Sequence, residues 1–248
     1  MFVAMSESAM SEATANIKVI SGGAFKQVLN ALAELYGNAS GNKLDLTYRT
    51  VGQHLKLIAS GEETFDVAVL TPEAIDGLIK DGKVVAGSRA DLARTGVGVV
   101  VKAGAPLPDI GSVDAFKRTL MAAKSVAYID PAAGGSSGIY VGKLLDRLGI
   151  AKEVNAKAKL IHGGAVADHI ADGEAEIGIH QISEILAVKG AVLVGPLPAD
   201  IQNFTVYSAG VGTAAKDGEK DAASALVKFL AGPHAGPIIK AKGMEPAS

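Results

Sequence analysis

The chain has 248 residues, of which 48% are hydrophobic, 20% are charged and 4% are aromatic, and its formal net charge is −2. This length and composition suit a packed globular protein of one large or two modest domains, and they exclude a disordered chain. Tryptophan is absent and the charges are scattered without a basic block, which disfavours an aromatic cage, nucleic-acid binding and an anionic membrane surface. The absence of cysteine excludes disulfides, cysteine nucleophiles and thiolate metal sites.

The first sixteen residues carry neither lysine nor arginine and no sustained apolar run, so residues 1–16 are predicted to be a flexible tail. This segment does not have the pattern of a secretory signal peptide. The expectation is a cytoplasmic protein as the sequence is written, or a periplasmic one if the true start or a leader is missing. No apolar run is long enough to span a bilayer, so membrane insertion is not expected.

Strand-like and helix-like patterns alternate from residue 17 to the end of the chain. Predicted strands lie at 17–20, 44–48, 65–70, 97–101, 125–129, 159–162, 177–180, 192–196 and 204–211. Predicted helices lie at 25–36, 55–61, from 71 onward, and at 113–121, 139–148, 166–171, 183–188, 221–230 and 236–243. This alternation predicts an α/β protein with largely parallel sheets.

Two of these strands, at 97–101 and 204–211, bracket a middle block that has strands and helices of its own. That arrangement is typical of two lobes joined by two crossing strands. Lobe 1 is predicted to comprise 17–97 and 205–248, and lobe 2 to comprise 98–204. A ligand cleft is expected between the lobes, at the carboxyl ends of the strands.

Small residues occupy four of the junctions at which a strand pattern gives way to a helix pattern. A helix start exposes unpaired backbone N–H groups and the positive end of the helix dipole, and small residues there let a ligand approach the backbone. Junctions of this kind that converge on one cleft would bind a small anion. The residues predicted to contact it are Gly22, Gly23, Ala24, Arg49, Thr50, Ser136, Ser137, Gly138, Gly163 and Gly164.

Other site chemistries find little support in the sequence. No grouping of histidine, aspartate and glutamate has metal-ligand spacing, so no metal is expected. No phosphate-binding loop, dinucleotide fingerprint or nucleophile elbow is present, and no cofactor is predicted.

Several short segments in a fixed order carry a resemblance that covers nearly all of residues 17–246. They are 22–25, 60–61 with 65–69, 137–140 with 144–149, 176–181, and 229–233 with 242–246. With these segments the chain resembles the type II periplasmic solute-binding proteins, specifically the molybdate-binding (ModA-like) branch. The resemblance implies a two-lobed fold with an interlobe ligand cleft. It extends to an enzyme, aconitate isomerase, which is similar to a solute-binding protein put to catalytic use.

The chain departs from the molybdate-binding pattern at three ligand positions. Ala24 stands where that branch usually has a serine, Arg49-Thr50-Val51 stands in place of a serine run, and Gln181 stands near a common tyrosine. Gln181 is therefore added to the predicted ligand contacts. A carboxylate benefits from an arginine through a bidentate charged pair, whereas a tetrahedral oxyanion held by hydroxyls and amides does not need one. The departures favour an organic carboxylate over molybdate.

Three functions remain open at this point. The first is a binding protein that captures a small anion and, if exported, delivers it to an ABC permease. The second is an isomerase of an unsaturated polycarboxylate, in which His180 and His54 are the candidates for proton transfer because imidazole exchanges protons near neutral pH. The third is a ligand-sensing regulatory lobe that acts through a partner protein.

Overall fold

The structure is a computed structural model that describes residues 14–247. Its strands are β1 (Asn16–Gly22), β2 (Lys43–Arg49), β3 (Val67–Leu70), β4 (Ala90–Lys102), β5 (Val126–Ile129), β6 (Ala158–Ile161), β7 (Ile177–Gln181), β8 (Ala191–Pro196), β9 (Phe204–Val211) and β10 (Glu245–Pro246). Most of the expected tail lies outside the described residues, and β1 already begins at Asn16.

Helices follow most of the strands. They are α1 (Lys26–Ser40), α2 (Val51–Ser60), α3 (Pro72–Lys80), α4 (Val113–Ala122), α5 (Ser136–Arg147), α6 (Ala151–Asn155), α7 (Val166–Ala171), α8 (Ile182–Ile185), α9 (Asp217–Leu230) and α10 (Ala235–Ala241). Three single 3-10 turns, at Gly23–Phe25, Pro131–Ala133 and Ala199–Ile201, complete the regular structure of the described residues. No helix within residues 14–247 has the length and apolar character needed to cross a membrane.

The sheet follows the strand order β2-β1-β3-β9-β4-β7-β5-β6, with β8 and β10 also paired to β4. Strands β1, β2 and β3 are parallel to one another, and so are β5, β6 and β7. Every pairing of β4 is antiparallel, as is the pairing of β3 with β9. The prediction of largely parallel sheets is therefore wrong, because the two strands that connect the lobes run against their neighbours.

Strand β4 crosses from one half of the molecule to the other. Its first half pairs with β9 up to Gly96, and its second half, from Val97, pairs with β7 and β8. The side chain of Gln202 accepts a hydrogen bond from the Val97 amide and donates one to the Val97 carbonyl, both at 2.9 Å. The outgoing and returning chains are thus joined where they pass between the halves.

Separate hydrophobic cores lie on the two sides of this crossing point. In the first half, α1 and α9 pack on one face of the sheet and α3 on the other. In the second half, α4 and α5 cover one face and α7 the other. Each cluster of buried hydrophobic residues lies within one half of the molecule. The described chain therefore forms two lobes with separate cores.

The first half of β4 and the short elements α6 and β10 were not predicted. In β4 the charged and polar residues Asp91, Arg94 and Thr95 interrupt the apolar pattern. They are satisfied by tertiary partners: the Ser208 hydroxyl donates to Asp91 at 2.6 Å, and the Arg94 guanidinium pairs with Glu245 at 2.6 Å. Only the folded chain supplies these partners, so the local sequence pattern does not reveal the strand.

Candidate functional site

A cavity of about 350 Å³ lies between the two lobes. This volume is in the range of small-ligand sites. Lobe 1 lines it with Gly22, Gly23, Ala24, Lys26, Gln27, Tyr48, Arg49, Thr50, Val51 and Tyr207. Lobe 2 lines it with Ile129, Gly135, Ser136, Ser137, Gly164, Ala165, Asp168, His180, Gln181, Glu184, Ala187 and Val188.

The cavity is built from the ends of strands and the beginnings of helices. Strand β1 ends at Gly22 and passes through the 3-10 turn Gly23–Phe25 into α1. Strand β2 ends at Arg49, and Thr50 then caps α2 in a reciprocal capping box with Gln53. The register pairs Gly22 with Arg49, so these two junctions lie side by side at one edge of the sheet.

Helix α5 faces the cavity from lobe 2 with its first turn. The helix spans twelve residues and begins at Ser136, and Ser136 and Ser137 both line the cavity. The first amides of a helix have no partner within the helix, and none of the described residues accepts a hydrogen bond from the amide of Ser136 or Ser137. This end of α5 therefore offers hydrogen-bond donors and a positive dipole to an anion.

Most of the residues predicted as ligand contacts line this cavity. They are Gly22, Gly23, Ala24, Arg49, Thr50, Ser136, Ser137, Gly164 and Gln181, together with the proposed proton-transfer residue His180. The structure does not place Gly138, Gly163 or His54 in the lining.

Gly138 and Thr50 have structural contacts that the sequence reading did not foresee. A Cβ added to Gly138 would lie 2.3 Å from the carbonyl oxygen of Ile129, so the residue lets α5 pack against β5. The Thr50 hydroxyl accepts from the Gln53 amide and donates to the carbonyl of Ala133 in lobe 2. Its hydroxyl proton thus joins the lobes, and one of its lone pairs caps α2.

A histidine and a glutamate from lobe 2 form the most strongly perturbed pair in the cavity. Nε2 of His180 lies 3.2 Å from Oε2 of Glu184, and the two side chains are 2% and 16% exposed. Burial lowers the pKa of His180 to about 3 and raises the pKa of Glu184 to about 8, an increase that nearby Lys26 opposes. Burial thus favours the uncharged form of both groups at neutral pH.

Glu184 is the functional candidate that sequence analysis missed. A Cβ added to Gly23 would lie 2.6 Å from its Oε1 atom, so the carboxyl group sits directly against the loop after β1. Its sequence signal is the spacing of four residues from His180 across the start of α8. That spacing is common, and only the burial of the carboxyl group distinguishes it.

Tyr207 and Lys26 are further polar residues of the lining, and neither was predicted as a ligand contact. Burial raises the pKa of Tyr207, as does the charge of Glu184, whereas the Ser136 hydroxyl opposes the increase. The phenol therefore keeps its proton and can donate it in a hydrogen bond. Lys26 is exposed to solvent and also lies in the lining, with its ammonium 5.4 Å from the centre of the Tyr48 ring.

Two buried polar atoms of residues that line the cavity have no hydrogen-bond partner among the described residues. They are Nδ1 of His180 and Oε1 of Gln181, although Nε2 of Gln181 does donate to the Thr205 hydroxyl at 2.8 Å. A buried unpaired polar group costs about 1–3 kcal/mol, and such groups are concentrated at functional sites. The residues described contain no cluster of three or more histidine and carboxylate groups that could hold a metal ion.

Comparison with solved structures defines the class of the fold. The periplasmic molybdate-binding protein of Azotobacter vinelandii superposes with a TM-score of 0.77 over 94% of this chain and 100% of its own, at 20% identity. The two-lobed, type II periplasmic-binding-protein fold predicted from the sequence is thereby confirmed.

Comparison of sequences then gives the family. The profile of the bacterial extracellular solute-binding proteins matches residues 17–245, and the chain belongs to this family. An aconitate isomerase from a Pseudomonas species is 36% identical over 235 residues, which is 93% of this chain and 87% of that protein. The molybdate-binding protein ModA of Azotobacter vinelandii is 29% identical over 243 residues, 92% of this chain and 89% of its own.

Proposed function

We propose that this chain binds an unsaturated polycarboxylate of the aconitate type between its lobes and isomerises it by removing and returning a proton. The observation that carries the proposal is the buried Glu184 carboxyl group, which has a raised pKa and faces the same cavity as Arg49 and the start of α5. The 36% identity to an aconitate isomerase supports the choice of substrate class.

Binding of a polycarboxylate is favoured by positive groups on both lobes. Lobe 1 supplies the guanidinium of Arg49 and the ammonium of Lys26, and lobe 2 supplies the amides of Ser136 and Ser137 at the start of α5. A ligand with one carboxylate would use only one of these two sets. A ligand with two or three carboxylates bridges them and so stabilises the lobes in contact.

Proton transfer needs a group that is populated in both protonation states near neutral pH. With a pKa of about 8 Glu184 meets this requirement better than His180, whose pKa of about 3 keeps it neutral. We therefore assign the transfer to Glu184 and the role of hydrogen-bond partner to His180, 3.2 Å away.

The reaction balances without a cofactor. The Glu184 carboxylate removes a proton from a carbon that lies between a carboxylate and the double bond, which leaves an anion delocalised over the allylic system and the carboxylate. The same proton returns either to the far end of that system, which moves the double bond, or after a bond rotation, which changes its geometry. The Tyr207 phenol and the first residues of α5 line the same cavity, and hydrogen bonds from the phenol and the α5 amides would stabilise the intermediate charge.

The competing function is capture of an anion without turnover, followed by delivery to an ABC permease. It is supported by the 29% identity to ModA, a molybdate-binding protein, and by the shared fold. Molybdate has no C–H bond, so it gives the Glu184 carboxyl group no proton to remove.

The deciding experiment follows the carbon-bound protons of cis-aconitate and trans-aconitate by proton NMR during incubation with the protein. Calorimetry with tricarballylate, the saturated tricarboxylate, and with molybdate measures binding separately. We expect interconversion of the two aconitates and binding of tricarballylate. Binding of tricarballylate with no interconversion would show that the protein binds carboxylates without isomerising them. Binding of molybdate alone would overturn the proposal.

Substitution of Glu184 tests the assigned residue. Glu184→Gln keeps the size of the side chain but removes its exchangeable acid, so turnover should fall by at least a hundredfold while tricarballylate still binds. Glu34→Gln, an exposed change on α1, is the matched control and should leave both unchanged. Full turnover in Glu184→Gln would exclude Glu184 as the proton-transfer group.

A further inference from the structure

A buried histidine, His54, and a glutamate, Glu63, form a chain of contacts that leads to Arg49 in the cavity lining. The side chain of His54 is fully buried, and its Nδ1 atom lies 2.6 Å from Oε2 of Glu63. The other carboxylate oxygen of Glu63, Oε1, lies 3.5 Å from Nε of Arg49. These three residues are called the Arg49 cluster below.

The cluster is anchored to the backbone on both sides. The Nε2 atom of His54 lies 3.1 Å from the carbonyl oxygen of Ser21, the residue before Gly22 in the cavity wall. His54 belongs to the first turn of α2, which the capping box of Thr50 holds in place. The amide of Glu63 donates to the carbonyl of Leu57 at 3.2 Å, so the glutamate is fixed to the end of the same helix.

Both ring nitrogens of His54 have a partner within hydrogen-bond distance. A carbonyl oxygen can only accept, so Nε2 of His54 carries a hydrogen toward Ser21. The 2.6 Å contact between Nδ1 and Glu63 holds one further proton between the two atoms.

The contact between Glu63 and Arg49 lies on the Nε side of the guanidinium group. The Nε atom lies 3.5 Å from Oε1 of Glu63, an ion pair without hydrogen-bond geometry, and the Arg49 side chain, which lines the cavity, is 45% exposed. Within residues 14–247 no hydrogen bond is made by the two terminal nitrogens, Nη1 and Nη2. That edge matches the two oxygens of a carboxylate in a bidentate pair.

We propose that Glu63 and His54 are positioning residues that hold Arg49 with its Nη1–Nη2 edge toward a ligand carboxylate. The binding part of this inference rests on the proposed function, since it takes the ligand to be a carboxylate. It also assigns His54 a role different from proton transfer to the substrate, because both of its ring nitrogens are occupied and it does not line the cavity.

Two substitutions of Glu63 separate positioning from proton transfer. Glu63→Ala removes the contact with Arg49, so the affinity for tricarballylate should fall about tenfold. Glu63→Gln can accept from Arg49 with its amide oxygen and donate to Nδ1 of a neutral His54 with its amide nitrogen, so it should restore both affinity and turnover. Loss of turnover in Glu63→Gln with unchanged affinity would instead assign Glu63 and His54 to the chemistry and overturn the proposal.

A measurement without ligand keeps the two proposals distinguishable. The ¹⁵Nε–¹H relaxation of Arg49, assigned by loss of its signal in Arg49→Lys, should show an ordered side chain in the wild type and a mobile one in Glu63→Ala. Equal order in both proteins would overturn the positioning role even if the wild type binds and isomerises aconitate. If the wild type shows the expected difference in order but binds no carboxylate, the proposed function fails and the positioning of Arg49 stands.

Melting temperatures show whether each variant is folded. A variant at His54 then tests whether the histidine acts through Glu63. His54→Phe keeps a ring at the buried position and removes both of its hydrogen bonds. If His54 acts through Glu63, the double variant with Glu63→Ala should bind tricarballylate no more weakly than the weaker single variant. Additive losses from two folded single variants would contradict a shared positioning role.

Discussion

Gly52 of lobe 1 and Gly134 of lobe 2 approach so closely that no side chain fits between them. The Gly52 amide donates to the Gly134 carbonyl at 3.1 Å, and a Cβ added to Gly52 would lie 2.7 Å from the Gly134 Cα atom. Beside them the Gln53 side chain donates to the carbonyl of His162 at 3.2 Å. The lobes therefore meet backbone to backbone at one side of the cavity.

Substitution of Gly52 should weaken ligand binding by holding the lobes apart. In Gly52→Ala the added methyl group conflicts with backbone atoms of Gly134, which cannot rotate away as a side chain could. We expect at least a tenfold loss of affinity for tricarballylate in calorimetry, with little change in melting temperature. Gly77→Ala on α3, where an added Cβ meets nothing within 4 Å, is the control. Unchanged affinity in Gly52→Ala would show that binding does not need this contact.

The free energy of unfolding should depend on pH through His180 and Glu184 in opposite directions. The folded pKa of His180, about 3, lies below its ordinary value of 6.5, so between these values stability rises with pH. The folded pKa of Glu184, about 8, lies above its ordinary value of 4.5, so between these values stability falls as pH rises. Above pH 6.5 the contribution of the histidine fades and that of the glutamate dominates, falling by up to about 1.4 kcal/mol per pH unit.

Urea unfolding of the wild type and of Glu184→Gln between pH 6.5 and 8 measures this dependence. The wild type should lose stability across the interval, and the variant should lose markedly less. Parallel curves would mean that the carboxyl group is already ionised in the folded protein.

The phenol of Tyr207 should contribute to ligand affinity more than to stability. Tyr207→Phe removes a buried donor from the cavity lining, and the loss of one hydrogen bond to a charged ligand group costs about 1.5–3 kcal/mol, or roughly 10–150-fold in affinity. Tyr36→Phe is the control, since its hydroxyl donates to the carbonyl of Ala222, outside the cavity. Calorimetry of both variants should show a loss only for Tyr207→Phe, and equal affinities would exclude the phenol from binding.

Gly138 should prove to be a packing residue. In Gly138→Ala the new methyl group would meet the Ile129 carbonyl at 2.3 Å, and overpacking of this kind costs about 1–3 kcal/mol. Chemical unfolding should show this loss, while the fraction that remains folded binds tricarballylate with nearly wild-type affinity. A loss of affinity at unchanged stability would support the direct ligand contact predicted from the sequence.

Much of the fold follows from local patterns. The predicted bounds of α7 and β9 are those of the structure, because both elements have clear periodicity and residues that end them. The helix predicted at 139–148 begins three residues earlier, at Ser136, because a first turn that faces a cavity carries no apolar stripe. The crossing strand β4 begins seven residues before its apolar core, since tertiary contacts satisfy its polar half.

The site was predictable in its backbone and less so in its side chains. The loops at Gly22, Arg49 and Ser136 were recognisable because small residues between a strand and a helix are a local feature. Glu184 and Tyr207 were not, because their chemistry comes from burial against partners distant in the chain. For the same reason the sequence could not separate His180, in the lining, from His54, behind Arg49.

The sequence by itself determined the order of strands and helices, the positions of the helix starts and the resemblance to a two-lobed binding fold. These depend on periodicity and on residue type, which act over a few neighbouring positions. The tertiary structure alone decided which helix starts meet, that Gly52 touches Gly134, and that Glu184 is buried beside Gly23. Proximity and burial are properties of the packed chain, and they set the pKa of the carboxyl group on which the proposed chemistry depends.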